Sequence, residues 1–204
     1  MSRRSWFSKI FTNSDPVYFI GIQLIIKAFG EDTLRRRLAT VIADPDGQMQ
    51  DVESKRRYIK RIVALLLEQD PYWTQAFWDY KTDPGESEEE FNSWATELAA
   101  STATVEEEMG DDVDGMRRLS MRKDYVAATI IMNLSVPFQP AEAVPDDVIA
   151  FRKETLRNLV NGLMYIDPET ILADGIFVVP GNSEDGLSEE DLLAGGWEYL
   201  RILT

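Results

Sequence analysis

The sequence predicts an α+β fold: a small three- to four-stranded sheet with a strand–helix–strand C-terminal unit, packed against a helical N-terminal half. Three observations predict it. Residues 17–26 are a nearly continuous apolar run broken only by Gly21 and Gln23. Residues 51–69 set apolar side chains at a 3.6-residue period. Residues 124–179 alternate between β-branched runs and a helical pattern. The organisation expected is a flexible basic and aromatic tail over 1–15 and one α+β domain over 16–204. Its helical part covers about 31–109 and its strand–helix–strand part about 122–204.

In chain order, Val17–Ile26 fills both alternation classes with apolar residues, as a strand buried on both faces does. A continuous run of this kind also fits a helix. Glu31–Ile42 follows Gly30 and carries Leu34, Leu38, Val41 and Ile42 on one helical face, and Asp44-Pro-Asp-Gly47 is a turn. Asp51–Gln69 is the clearest helix, with Tyr58, Ile59, Ile62, Leu65 and Leu66 in phase, and Asp70-Pro71 ends it. Tyr72–Tyr80 is expected as a short helix. Ser87 and Glu90 make a capping-box pattern that opens a helix over 88–100, with another short helix after Thr102. Asp124–Val136 reads as a long strand. A helix from Pro145 or Asp146 to about Met164 and a strand over Ile171–Val179 follow. One crossover helix between them makes these strands parallel if they share a sheet. Ser188 opens a short helix with acids in its first turn. Residues 197–203 close the chain as an extended segment or edge strand.

Composition narrows the chemistry. The 204 residues contain no histidine and no cysteine. That removes the usual general base, thiolate nucleophiles, ordinary zinc sites, His- or Cys-ligated haem and iron–sulfur clusters. No GxGxxG or GxxxxGK[ST] phosphate loop occurs. No catalytic, cofactor-binding or metal-binding residue is therefore assigned. No run approaches the ~18 apolar residues of a spanning helix. The N-terminus has no apolar signal region, so a cytoplasmic protein is expected. The net charge of −15 disfavours nucleic acid as a partner. That charge is segregated. Residues 1–81 carry 13 basic and 10 acidic side chains, whereas residues 82–116 carry 12 acidic and no basic ones.

Each charged or aromatic cluster has a functional and a structural reading. With Gly47 at position 6 of a calcium loop, Asp44, Asp46 and Glu53 fall at 3, 5 and 12, but Ile42 occupies position 1. A turn between helices is the simpler reading. Asp111, Asp112 and Asp114 form an acidic loop that suits a divalent-metal-dependent hydrolase or a solvated surface. Arg35–Arg37, Lys55–Arg57, Lys60 and Arg61 suit an anionic surface, or a salt-bridged one facing the acidic block. Arg3, Arg4, Trp6 and Phe7 suit a membrane-surface contact or a locally packed tail. Tyr72, Trp73, Phe77 and Trp78 suit core packing or, if exposed, a protein-binding hot spot.

Two stretches carry a family resemblance. The first joins Leu65-Leu-Leu67, Asp70-Pro-Tyr-Trp73, Glu88-Glu-Glu-Phe-Asn92 and Asp112-Val-Asp-Gly115. The second joins Asp124-Tyr-Val-Ala-Ala-Thr-Ile-Ile131, Asp167-Pro-Glu-Thr-Ile-Leu172, Gly175-Ile-Phe-Val-Val-Pro180 and Gly186-Leu-Ser-Glu-Glu-Asp-Leu-Leu193. Their order and spacing resemble the family catalogued as domain of unknown function 1517, over about residues 17–200. The resemblance implies an α+β core without a catalytic motif. Members of that family are usually membrane-anchored. This chain shows neither the spanning helix nor the Gly/Ser-rich leader, and reads as a soluble, stand-alone core.

The function expected is a non-catalytic protein-interaction or regulatory module that binds a protein partner of basic character. Its candidate surface is Tyr72, Trp73, Phe77, Trp78, Glu88, Glu89, Glu90, Glu106, Glu107 and Glu108. The alternatives are the carboxylate-based hydrolase and a peripheral membrane protein.

Overall fold

The computed structural model describes residues 4–5, 15–28, 34–44, 51–107, 124–179, 187–189, 192 and 197–204, with side-chain surroundings for all but 4–5, 101–107, 147 and 148. The described residues build one antiparallel sheet of mixed α and β architecture. Its strands are β1 (Arg4–Ser5), β2 (Tyr18–Lys27), β3 (Trp73–Lys81), β4 (Tyr125–Leu134), β5 (Ile171–Val179) and β6 (Arg201–Ile202), in the order β1-β5-β4-β2-β3-β6. The α+β class is as expected, but the strands outnumber the three or four anticipated. Four are long, and β1 and β6 are two-residue strands at the edges.

The run at 17–26 is the central strand. β2 lies between β4 and β3, and its eight inner residues are all buried. Its two alternation classes feed two cores. Ile20, Ile22, Leu24 and Ile26 face helices α1 (Leu34–Ile42), α2 (Val52–Glu68) and α6 (Lys153–Gly162). Phe19, with Ile131 and Phe177 from the neighbouring strands, faces Phe91, Ala95 and Leu98 of α3 (Pro84–Glu107). Helices thus cover both faces, which is why β2 carries no polar stripe.

Three expectations about elements are corrected. Residues 73–81 are a strand, not a helix, and they interrupt the segment read as helical. Trp, Phe and Tyr are strong strand formers. They fall on both faces because the strand is covered on both. A bulge at Thr74 sets Trp73 opposite Ile26 while Gln75 stays opposite Ile25. Trp73 is thereby turned to the α2 side, where its indole N–H donates to the Leu66 carbonyl at 3.2 Å. Residues 84–107 are one helix rather than two. Asp83, not Ser87, accepts at its start, from the Glu86 N–H at 3.1 Å, and Pro84 occupies the first turn.

The third correction concerns β4 and β5, which pair antiparallel, with Leu134 opposite Ile171. The segment read as one crossover helix breaks at Arg152, whose backbone is extended at φ −71°, ψ 142°. The chain leaves β4 through α4 (Gln139–Glu142) and α5 (Asp147–Ala150), passing Trp78, whose indole N–H donates to the Ala150 carbonyl at 2.9 Å. It reaches the opposite end of the sheet at Lys153, whose N–H bonds the Thr204 carbonyl. α6 then returns, so that Gly162 lies against Phe138 and Pro140 where the excursion began. An out-and-back path ends where it started and so yields an antiparallel pair. The remaining elements follow the sequence closely: α1, α2 capped by Asp51, β5, and an edge strand near the C-terminus. Asp46, Gly47 and residues 108–123 and 180–186 lie outside the described residues.

Candidate interaction site

The two charged blocks of the sequence lie on opposite faces of the sheet. α3 carries Glu86, Glu88, Glu89, Glu90, Glu97, Glu106 and Glu107 and no basic residue. α1 and α2 carry eight basic residues and two acidic ones. The basic helices therefore do not face the acidic block, and their ion pairs run elsewhere. Arg37 makes a two-pronged pair with Glu68, at 2.9 and 2.6 Å, which holds the Glu68 carboxyl below its ordinary pKa. Arg56 reaches Glu53 and Asp167, and Arg61 pairs with Asp44. Lys55 points inward and pairs with Asp174 of β5 at 2.6 Å, both residues being buried. Burial pushes the Asp174 carboxyl above its ordinary pKa, against the pull of Lys55.

The expected aromatic element is split by the strand. Trp73 is interior, only 4% exposed, while Tyr72 stands outside at 45%. Trp78 is half-buried on the α2 side, and Phe77 is half-buried on the α3 side. The α3 side is where aromatic and acidic residues meet. Phe77 stacks on Trp94 at 5.8 Å, and the Trp94 indole N–H donates to the Glu90 carboxylate at 2.8 Å. Glu88 and Glu89 are exposed, a turn and a half from Trp94. The side chains of Glu106 and Glu107, and all of Glu108, lie outside the described residues, as do Arg3, Trp6, Phe7, Asp111, Asp112 and Asp114. Arg4 lies in β1, opposite Gly175.

Several residues of this face were not singled out by sequence. Tyr199 donates its hydroxyl to Gln23 at 2.6 Å, and the Gln23 amide donates to Thr129 at 2.9 Å, which leads a polar chain from the surface into the middle of the sheet. Tyr199 is 176 residues from Gln23, and no local pattern announces the contact. Trp94 had a signal: with Phe91, Ala95 and Leu98 it forms an apolar stripe at helical spacing on an otherwise acidic helix. Among the described residues, no group of three or more carboxylates could hold a metal ion, and no helix is long and apolar enough to cross a membrane.

An antiparallel sheet between two layers of helix, with an acidic helix on one face and basic helices on the other, defines the class: an α+β protein with charge divided across its sheet. The family model described as "Protein of unknown function (DUF1517)" matches residues 17–195, and the chain belongs to that family. Comparisons with curated proteins and with solved structures found no match.

Proposed function

We propose that this protein is a non-catalytic, cytoplasmic protein-interaction or regulatory module whose acidic α3 face docks a basic protein partner. The observation that carries the reading is the separation of charge across the sheet. α3 carries seven acidic residues and no basic one, and the basic side chains of α1 and α2 lie behind the sheet, so none of them neutralises it. A complementary partner is steered to such a face, and like-charged surfaces are turned away. The aromatic residues beside it supply apolar contact area of the kind that dominates interface energetics.

The test is affinity capture from the native host with the purified chain, compared with a Glu88→Gln/Glu89→Gln variant. The expected result is a stoichiometric partner that is released at high salt and is depleted on the variant. Equal recovery on both baits removes α3 from the interface.

A further inference from the structure

Phe77, Trp94, Phe151 and Tyr199 converge where β3, α3, the break between α5 and α6, and the turn at 197–200 meet. Phe77 is the hub. It stacks on Trp94 at 5.8 Å and 24°, stacks on Phe151 at 6.2 Å and 20°, and meets the Tyr199 ring at 5.2 Å and 72°. None of the four rings is closed off from water. Tyr199 is 39% exposed and the other three are half-buried. Beside them on β6, Ile202 is 75% exposed, and its register opposite Gln75 places it on the side of the sheet that Phe77 occupies. Carboxylates flank the rings. Glu90 accepts from the Trp94 indole, and burial, with a smaller push from the charges of Glu97 and Glu198, raises the Tyr199 hydroxyl above its ordinary pKa.

Partly exposed rings and negative charge select one kind of group. A ring presents a negative face, so it attracts a cation, and carboxylates nearby deepen that attraction. An anionic ligand is repelled by the same carboxylates. Between the two common protein cations, guanidinium is planar, weakly hydrated and stacks flat on a ring, whereas an ammonium is compact and strongly hydrated. We infer that this aromatic, carboxylate-flanked surface binds an arginine side chain on an extended segment of a partner protein. The inference rests on the reading of a basic partner and specifies which residue the partner presents and where it lands.

The test uses the full chain and two capped peptides, hexa-arginine and hexa-lysine, by calorimetry at one ionic strength. Hexa-arginine is expected to bind more tightly than hexa-lysine. Tyr199→Ala is expected to weaken hexa-arginine binding about five-fold, the size of one exposed cation–π contact. Tyr199→Phe keeps the ring and is expected to keep the affinity. In the wild-type protein, the Trp94 indole N–H resonance, assigned through Trp94→Phe, is expected to shift with hexa-arginine and much less with hexa-lysine. If both peptides bind alike, Tyr199→Ala changes nothing and the Trp94 resonance stays still, the aromatic surface is not the site. The acidic-face reading survives that result if Glu88→Gln/Glu89→Gln weakens both peptides. Absence of binding by either peptide also overturns the arginine site, and the capture experiment then judges the broader reading on its own.

Discussion

Ser87 shows how one hydroxyl fastens α3 to the sheet. It is fully buried, accepts the Phe19 N–H at 3.2 Å and donates to the Val17 carbonyl at 3.0 Å. Ser87→Ala leaves both backbone groups without that partner in a dry site, and about 1–3 kcal/mol of stability is expected to be lost. Urea unfolding measures it, and a loss within error of zero shows that the hydroxyl is dispensable. Lys55 and Asp174 set a larger stake. Breaking a buried pair leaves an uncompensated charge, so Lys55→Met is expected to cost about 3–5 kcal/mol, and a Lys55→Met/Asp174→Leu double variant much less. The sign of the pH dependence follows from Asp174. Its folded pKa is raised, so the stability linked to this group is present below the ordinary carboxylate pKa and is lost as pH rises through the folded value. Removing Lys55 raises that pKa further. The deficit of Lys55→Met should therefore shrink on going from pH 7 to pH 5, measured as the change in urea midpoint. A deficit that does not vary with pH means that Asp174 stays charged without its partner. Asp51 and Glu68 work in the opposite sense. Hydrogen bonds from the Ser54 N–H and the Arg37 guanidinium depress their carboxyl pKa values, so their contribution is present above the unfolded pKa and is lost as pH falls through the depressed value.

An amphipathic helix and strands rich in β-branched residues were readable from the sequence, and an aromatic strand covered on both sides was not. α2 shows a clean period because Tyr58, Ile59, Ile62 and Leu66 pack inward while Lys60 and Arg61 meet water. β5 was readable as a strand from its composition, and β2 was read as a strand buried on both faces although its continuous apolar run also fits a helix. β3 misled because Phe77 packs on α3 while Trp78 packs on the other side, and its bulge at Thr74 inverts the alternation at one end. Aromatic residues at 73, 77 and 78 then mimic helical spacing. The direction of β5 turned on one residue, the extended Arg152, because a broken helix makes two passes where an unbroken one makes a single pass. The packing of α6 at the close of that excursion gives a test. Alanine is ordinarily the better helix former, yet a Cβ at Gly162 would sit 2.5 Å from Pro140 Cγ and 3.0 Å from the Phe138 ring. Gly162→Ala is expected to destabilise by about 1–3 kcal/mol, the usual cost of overpacking. An unchanged or raised melting temperature would show that the 138–140 segment yields freely.

At the scale of the molecule, charge and aromatic surface act over different distances. The sequence displayed the acidic block but not its separation from the basic helices, since only the fold puts a sheet between α3 and α1 and α2. Nor did it join Tyr199 to Phe77 and Trp94, because their contact depends on the C-terminal segment folding back onto β3. Charges on α3 attract a cationic ligand from up to about a Debye length, ~8 Å at physiological salt, before any contact forms. Ring contacts act only once the ligand is seated. The two contributions should separate in kinetics. Glu88→Gln/Glu89→Gln is expected to lower the association rate of hexa-arginine and flatten its dependence on salt, and to leave dissociation nearly unchanged. Tyr199→Ala is expected to raise the dissociation rate and leave association nearly unchanged, because short-range contacts are felt mainly in the off-rate. Stopped-flow fluorescence across a salt series resolves both rates. If the glutamate and tyrosine variants alter the same rate constant to the same extent, steering and seating are not divided between helix and rings, and the face binds through charge alone.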